Sequence, residues 1–342
     1  MPTFVRTQQV EHPIGTNGRF ALRVTSPDVE LRASRDAIAR VNVQFELRAT
    51  DDAEADELFE RVRFHVRKGD GFLEVTEPKR GDSGIGGIAR MFGIGSARAE
   101  VSISAELPSG TNLTYDGVSA DVTAGGLSGD QEYRTVSGDL VLDKLAGTVR
   151  VRGVSSDVSI RAEEPLRLEA NTVSGDVSAF APRFDELRMV TVSGDVEIEG
   201  ELAPRLEHRI ETVSGDLSIG VVGGMTLEVR GLSTDVDISV PHRSEGSRDR
   251  RRYIVGDGAA SVLFSSMSGD VSARGSRRFA GPIPPTPPTP PTPPTAPTPP
   301  VAPTPPALSA EEQLAILQAL ERGDIDVDEA TRRLAGERPG DA

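Results

Sequence analysis

The sequence contains no cysteine and no tryptophan, and only 4% of its 342 residues are aromatic. Without cysteine there is no disulfide framework and no thiolate chemistry, which suits a reducing compartment. A core with so few rings must be assembled from Val, Leu, Ile and Ala, which fits a narrow stack of thin β coils. Long apolar runs are missing too. No segment reaches the roughly 18 to 20 residues needed to span a bilayer, and the N-terminal M-P-T-F-V-R-T-Q-Q-V-E-H lacks the apolar stretch of a signal peptide. The expectation is a cytoplasmic protein that is not integral to a membrane, with association at the inner membrane face as an alternative. Positive charge is in deficit, with 38 Lys and Arg against 53 Asp and Glu and a net charge of -15. Nucleic acid is therefore not an expected partner, because phosphate binding needs clustered cations. The one basic cluster, Arg248 to Arg252, includes Asp249 and is read as a polar loop.

Catalytic signatures are also lacking. The four histidines are His12, His65, His208 and His242, and none has a second ligand at metal spacing. No nucleophile elbow, Walker or Rossmann pattern occurs. The reading is a non-enzyme without cofactor. Some parallel β-helices are carbohydrate lyases or hydrolases with clustered acids, but such sites stack sugars on aromatics, and this chain has three tyrosines.

What the chain does have is a repeat. T-V-S-G-D-[VL] begins at Thr135, Thr172, Thr191 and Thr212, and looser copies begin at Gly117, Gly153, Gly231 and Ser266. The repeated aspartates are Asp121, Asp139, Asp157, Asp176, Asp195, Asp216, Asp235 and Asp270, with steps of 18, 18, 19, 19, 21, 19 and 35. A period near 19 in strand-forming residues predicts an all-β parallel solenoid, β-helix-like, with one coil per repeat. Second apolar segments, such as Leu145, Val149 and Val151 or Leu187 and Met189, give each coil two strand segments about nine residues apart. Alternation in V-S-G-D-L-V-L places Val136, Gly138, Leu140 and Leu142 inward, and Ser137, Asp139 and Val141 outward. An inward glycine lets the opposite wall approach or supports a bend. Its replacements, Ala120, Ser156 and Thr234, are small.

Stacked coils about 4.8 Å apart line up the aspartates, and bare carboxylates in a row repel. Two things can offset this. Turn amides and neighbouring Ser and Thr hydroxyls can donate to each carboxylate. Alternatively, a calcium ladder can form on Asp139, Asp176, Asp195 and Asp216. Calcium β-rolls need paired glycines and aspartates on both turns, and here Asp130 is the exception among second turns that lack the aspartate. A third use of the outward Thr, Ser and Asp rows is ligand recognition.

Residues 1–100 read as strands around one short helix, Asp51 to Phe64, with Ala55, Leu58, Phe59 and Val62 on one side. S-P-D-V at Ser26 resembles a degenerate rung that starts the solenoid early. Gly81 to Ala97 interleaves six glycines with Ile85, Ile88, Met91 and Phe92. This is either a loop capping the core or an apolar lip for a membrane surface or another subunit. The solenoid core occupies 101–280. Residues 281–306 form a spacer in which 15 of the 25 residues from Pro282 to Pro306 are proline. In polyproline II form it spans roughly 75 Å. Residues 307–342 predict a small helical hairpin: Ser309 with Glu312 forms a capping box, Leu314, Leu317 and Leu320 form a stripe, and Val327 and Leu334 face it from a second helix. So small a unit works by joining a partner or another copy of itself.

The V-S-G-D-[VIL] rungs at Val136, Val173, Val192 and Val213 resemble those of the bacterial putative-adhesin family of β-strand-repeat proteins, a family of unknown function. The resemblance covers about residues 15 to 275. The tail E-E-Q-L-A-I-L-Q-A-L-E-R-G-D-I-D-V-D-E-A is similar to the short SHOCT-like helical domain found on such proteins. The repeat platform and tethered hairpin point to a scaffold or interaction role, and the resemblance implies a setting in cell-envelope stress or surface organisation.

Overall fold

The computed structural model describes residues 2–78, 99–247, 250–276 and 278–279. The expected lip at Ile85, Ile88, Met91 and Phe92, the spacer and the hairpin of Leu314, Leu317, Leu320, Val327 and Leu334 lie outside the described residues. The chain opens with β1 (Thr3–Pro13), β2 (Arg19–Arg23), β3 (Asp28–Ser34) and β4 (Ile38–Arg48). Helix α1 (Asp52–Val62), β5 (His65–Gly69) and β6 (Phe72–Thr76) follow. Next come β7 (Ala99–Pro108), β8 (Asn112–Asp116), β9 (Val122–Gly125) and β10 (Asp130–Ser137). Three long strands are β11 (Leu140–Ser155), β12 (Val158–Ser174) and β13 (Val177–Ser193). After them run β14 (Val196–Leu202), β15 (Glu207–Ser214), β16 (Leu217–Val221), β17 (Met225–Ser233) and β18 (Val236–Ile238). The last are β19 (His242–Ser247), β20 (Arg250–Val255), β21 (Ala260–Ser268) and β22 (Val271–Gly275).

These strands stack into two ladders. The first runs β6–β2–β8–β10, through the C-terminal halves of β11, β12 and β13, to β15–β21–β17, all parallel. The second runs β7–β3–β9, through the N-terminal parts of β11, β12 and β13, to β14–β16–β22–β18, again all parallel. Antiparallel strands extend the ladders at their ends: β5 beside β6, β4 and β1 beyond β7, and β20 with β19 beyond β17. The fold is mostly β and solenoid-like. Thr172 pairs with Thr191, and Thr191 with Thr212, so the sequence period is the stacking register.

Stack order and chain order part company at both ends. Ser214 pairs with Ser268, and Ser233 also pairs with Ser268. The coil of Asp270 therefore lies between those of Asp216 and Asp235. The 35-residue step in the repeat is a coil delivered out of order, after β19 and β20 have carried the chain away and back. Likewise β2 and β3 sit between the coil of β6–β7 and that of β8–β9.

Helix α1 starts where Asp51 Oδ1 accepts the Glu54 amide at 2.9 Å, an N-cap that satisfies one of the free amides of the first turn. Ala55 is buried, and Leu58, Phe59 and Val62 pack on the core. Phe59 meets Phe45 edge-to-face, with ring centroids 5.2 Å apart. Arg251 and Arg252, expected in a loop, lie in β20, which pairs with β17. This antiparallel strand, flanked by β17 and β19, accommodates them because the guanidinium heads reach Thr234 and Glu228.

The inward columns are Val, Leu, Ile, Ala and Phe, as expected. Polar residues break them at several places, Gln131 and His208 among them. Buried Gln131 donates to the carbonyls of Leu127 (3.2 Å) and Ala146 (3.3 Å), and its Oε1 accepts the Tyr133 hydroxyl at 3.0 Å. Burial also holds the Tyr133 hydroxyl well above its ordinary pKa. His208 stands opposite Val262.

Candidate functional site

The S-G-D segment is the corner joining the two ladders, and it contains the groups the sequence singles out. Alternation continues into it from both sides but slips by one residue. Thr135 is buried and Leu140 and Leu142 are buried, while Val136 is 49% exposed. The expected inward place for Val136 is therefore wrong. The turn at Gly138 and Asp139 changes the phase, so the inward residue before the corner is the threonine. The same slip leaves Val154 45% exposed and Val173, Val192, Val213 and Met267 half-buried. One apolar side chain per coil thus faces outward beside a column of serines and a column of aspartates.

Glycine is required here by contact with the neighbouring coil rather than the opposite wall. Gly175 and Gly194 have φ of +117 and +138, and a Cβ on Gly194 would lie 2.2 Å from the Gly175 carbonyl oxygen. Where Ala120, Ser156 or Thr234 fills the fourth position, the first is Gly117, Gly153 or Gly231. In the other five corners Thr or Ser comes first and Gly fourth. Steric exclusion explains the exchange: a Cβ on Gly153 would lie 2.3 Å from Ser156 Oγ, and one on Gly231 would lie 2.1 Å from Thr234 Oγ1. Each corner has room for one inward side chain.

The aspartates are tied into the backbone. The Asp195 amide donates to Asp176 Oδ1 at 2.8 Å, and the Asp216 amide to Asp195 Oδ1 at 2.8 Å. Equivalent bonds join Asp139 to Asp121, Asp176 to Asp157, Asp270 to Asp216 and Asp235 to Asp270, at 2.8 to 2.9 Å. The amide after each aspartate donates the other way, as Val177 does to the Asp195 carbonyl at 2.9 Å. One carboxylate oxygen is thus an acceptor for the next coil, and charge assistance strengthens the bond. All eight aspartates are exposed. Among the described residues none of these eight aspartates forms an ion pair, and no three His, Asp or Glu side chains come together as a metal-sized group. Asp130, in a second turn, is held differently: its amide donates to Asn112 Oδ1 at 3.2 Å.

A second polar arrangement, not anticipated from the sequence, crosses the outer face of the first ladder. Arg67 pairs with Glu74, Glu74 with Arg23 (3.3 Å), Arg23 with Asp116 (3.3 Å), Asp116 with Arg134 (3.6 Å) and Arg134 with Glu132 (2.6 Å). This alternating chain spans β5, β6, β2, β8 and β10 beside a shallow groove that also presents Phe72, Asn112 and Thr114. Apart from Glu132 and Arg134, which are two residues apart, these partners come from different strands, so no spacing rule reveals the chain.

On the outer face of the second ladder, buried Glu199 accepts the Ser276 hydroxyl and the Arg278 amide, each at 2.7 Å. The Arg278 guanidinium lies 4.0 Å from the Phe180 ring centroid. Gly220 makes room for this: a Cβ there would lie 2.5 Å from Glu199 Cγ. The clasp fixes where the chain leaves β22. No described helix is long and apolar enough to cross a membrane.

Among solved structures, a putative lipid binding protein from Parabacteroides distasonis is 14% identical. It covers 78% of this chain and 96% of its own, with a TM-score of 0.40. A putative adhesin from Bacteroides fragilis is 12% identical, covering 79% and 97%, with a TM-score of 0.32. A putative cell adhesion protein from Clostridium sporogenes is 10% identical, covering 80% and 99%, with a TM-score of 0.23. No curated protein matches the chain. The family model described as Toastrack DUF4097 matches residues 18–274.

Proposed function

The chain belongs to the Toastrack DUF4097 family, and from that premise we propose that it is a non-enzymatic scaffold. In this reading a parallel β-solenoid platform carries a tethered helical hairpin, residues 307–342, that joins a protein partner or a second copy. Its setting is cell-envelope stress or surface organisation, on the cytoplasmic side. The observation that carries the reading is the corner itself. Its Val, Ser and Asp columns repeat from coil to coil, and the backbone occupies one oxygen of most of the carboxylates. Equivalent groups repeated along a stack make an extended surface, whereas catalysis concentrates unlike groups at one point. The test is the mass in solution of the full chain against residues 1–280. Association of the full chain, lost on removing the tail while the β signal in circular dichroism persists, is the expected result. Equal association of both forms would overturn the role of the hairpin.

A second reading is an ion- or carbohydrate-binding surface on the outward Thr, Ser and Asp rows, favoured by the exposed aspartate in each of the eight corners, none of them in an ion pair among the described residues. Calcium-dependent melting would support it.

A further inference from the structure

We infer that the inside of the corner is a binding column for ordered water, with a water molecule between successive hydroxyls along the stack. Seven consecutive corners each carry one buried hydroxyl: Thr135, Ser156, Thr172, Thr191, Thr212, Ser266 and Thr234, in stack order. The hydroxyl comes from the first position where glycine is fourth, and from the fourth where glycine is first. Its source changes while its presence does not, so the fold keeps a polar atom at this place although Val or Ala would fill it. Among the eight repeat corners the one of Ala120, at one end of the run, lacks it, and the corner stacked beyond it has buried Val24 and Pro27 at the same two places.

Thr135 Oγ1 donates to the Ser137 carbonyl at 2.9 Å. The other six hydroxyl oxygens are shielded from solvent and have no protein partner. A buried hydroxyl without a partner destabilises the fold by its full desolvation cost, and six such losses would rival the stability of a whole domain. Direct bonding along the column does not resolve this. Equivalent atoms on stacked coils, as in the run Thr172, Thr191, Thr212 and Ser266, lie about 4.8 Å apart, whereas an O–H···O bond needs about 2.8 Å. One oxygen placed between two such hydroxyls reaches both at about 2.8 Å, with an angle near 120° at its centre. Water meets that requirement, since it donates and accepts in a roughly tetrahedral arrangement. The neutral hydroxyl lining offers no charge to hold a cation there.

The test compares the full chain with its Thr191→Val and Thr191→Ser variants. Val keeps the shape and removes the hydroxyl, while Ser keeps the hydroxyl. Oxygen-17 relaxation dispersion counts long-lived internal waters. The expected result is a loss of one or two waters in T191V, no loss in T191S, and a melting point for T191V no higher than that of the parent. An unchanged water count with a raised melting point in T191V would mean that the hydroxyl is simply carried without a partner, and would overturn the proposal. Should T191V fail to fold, a high-resolution crystal structure of the parent decides: an ordered oxygen within about 3 Å of both Thr172 and Thr191 Oγ1 supports the column, and its absence there sinks it.

Discussion

Gly153 and Ser156 compete for one space: a Cβ on the first would lie 2.3 Å from the hydroxyl of the second. In the next coil Thr172 and Gly175 occupy the same two positions with the roles exchanged. Gly153→Thr alone should destabilise the protein by about 2–4 kcal/mol through overpacking. Adding Ser156→Gly should recover most of that loss. A double-mutant cycle by urea unfolding measures the coupling, and strictly additive single changes would show that the two side chains do not share the corner.

The aspartate column offers a chemical dissection. Asp195→Ala leaves the Asp216 amide without its acceptor and should destabilise by about 1–3 kcal/mol. Asp195→Asn keeps a carbonyl oxygen in place and lowers the repulsion along the column, so its loss should be the smaller of the two. Millimolar calcium should leave the melting point of the parent unchanged. A rise of several degrees that Asp195→Asn abolishes would instead favour an ion-binding column.

Val151 and Val154 separate core from surface within four residues. Val151 is fully buried, and Val151→Ala should cost roughly 1–3 kcal/mol. Val154 is nearly half exposed, and Val154→Ala should fall within about 0.5 kcal/mol of the parent. Equal losses would mean that something covers the outward valine column.

His208 gives a dependence on pH. It is completely buried, its Nε2–H donates to the Ala203 carbonyl at 3.0 Å, and burial lowers its pKa below the ordinary value of 6.5. Below pH 6.5 the unfolded chain takes up a proton that the folded chain resists. Stability should therefore fall as pH drops from about 6.5 toward 5 and stay flat above 6.5, as far as this group is concerned. Unfolding titrations of His208→Leu should show a shallower slope over that interval, and an identical slope would assign the dependence to other groups.

The repeat makes the stacking period legible, because identical residues recur at the step that parallel strands require. Leu140, Leu142, Leu145, Val149 and Val151 are inward as their alternation indicates, and the helix near Asp51 is announced by its spacing. Val136 misleads because the glycine turn changes phase, and alternation holds only within a strand. The exchange of Thr and Gly between Thr135–Gly138 and Gly153–Ser156 is present in the letters, yet its cause is a clash visible only when the corner is built. The Glu74–Arg23 and Arg23–Asp116 ion pairs and the Glu199 clasp join residues distant in sequence, and no local pattern encodes them.

The out-of-order coil has a consequence for synthesis. Residues 225–238 have no parallel neighbour to dock on until residues 260–275 exist, because β21 and β22 lie between them and the rest of the stack. A ribosome delivering this chain can let the coils from β8 to β16 zip up one after another as they emerge. The following coil must then wait, its apolar Met225, Leu227 and Val229 uncovered, for about 35 more residues. Truncation anywhere between 240 and 260 should therefore leave β17 and β18 without their parallel neighbours and the apolar side chains of β17 uncovered.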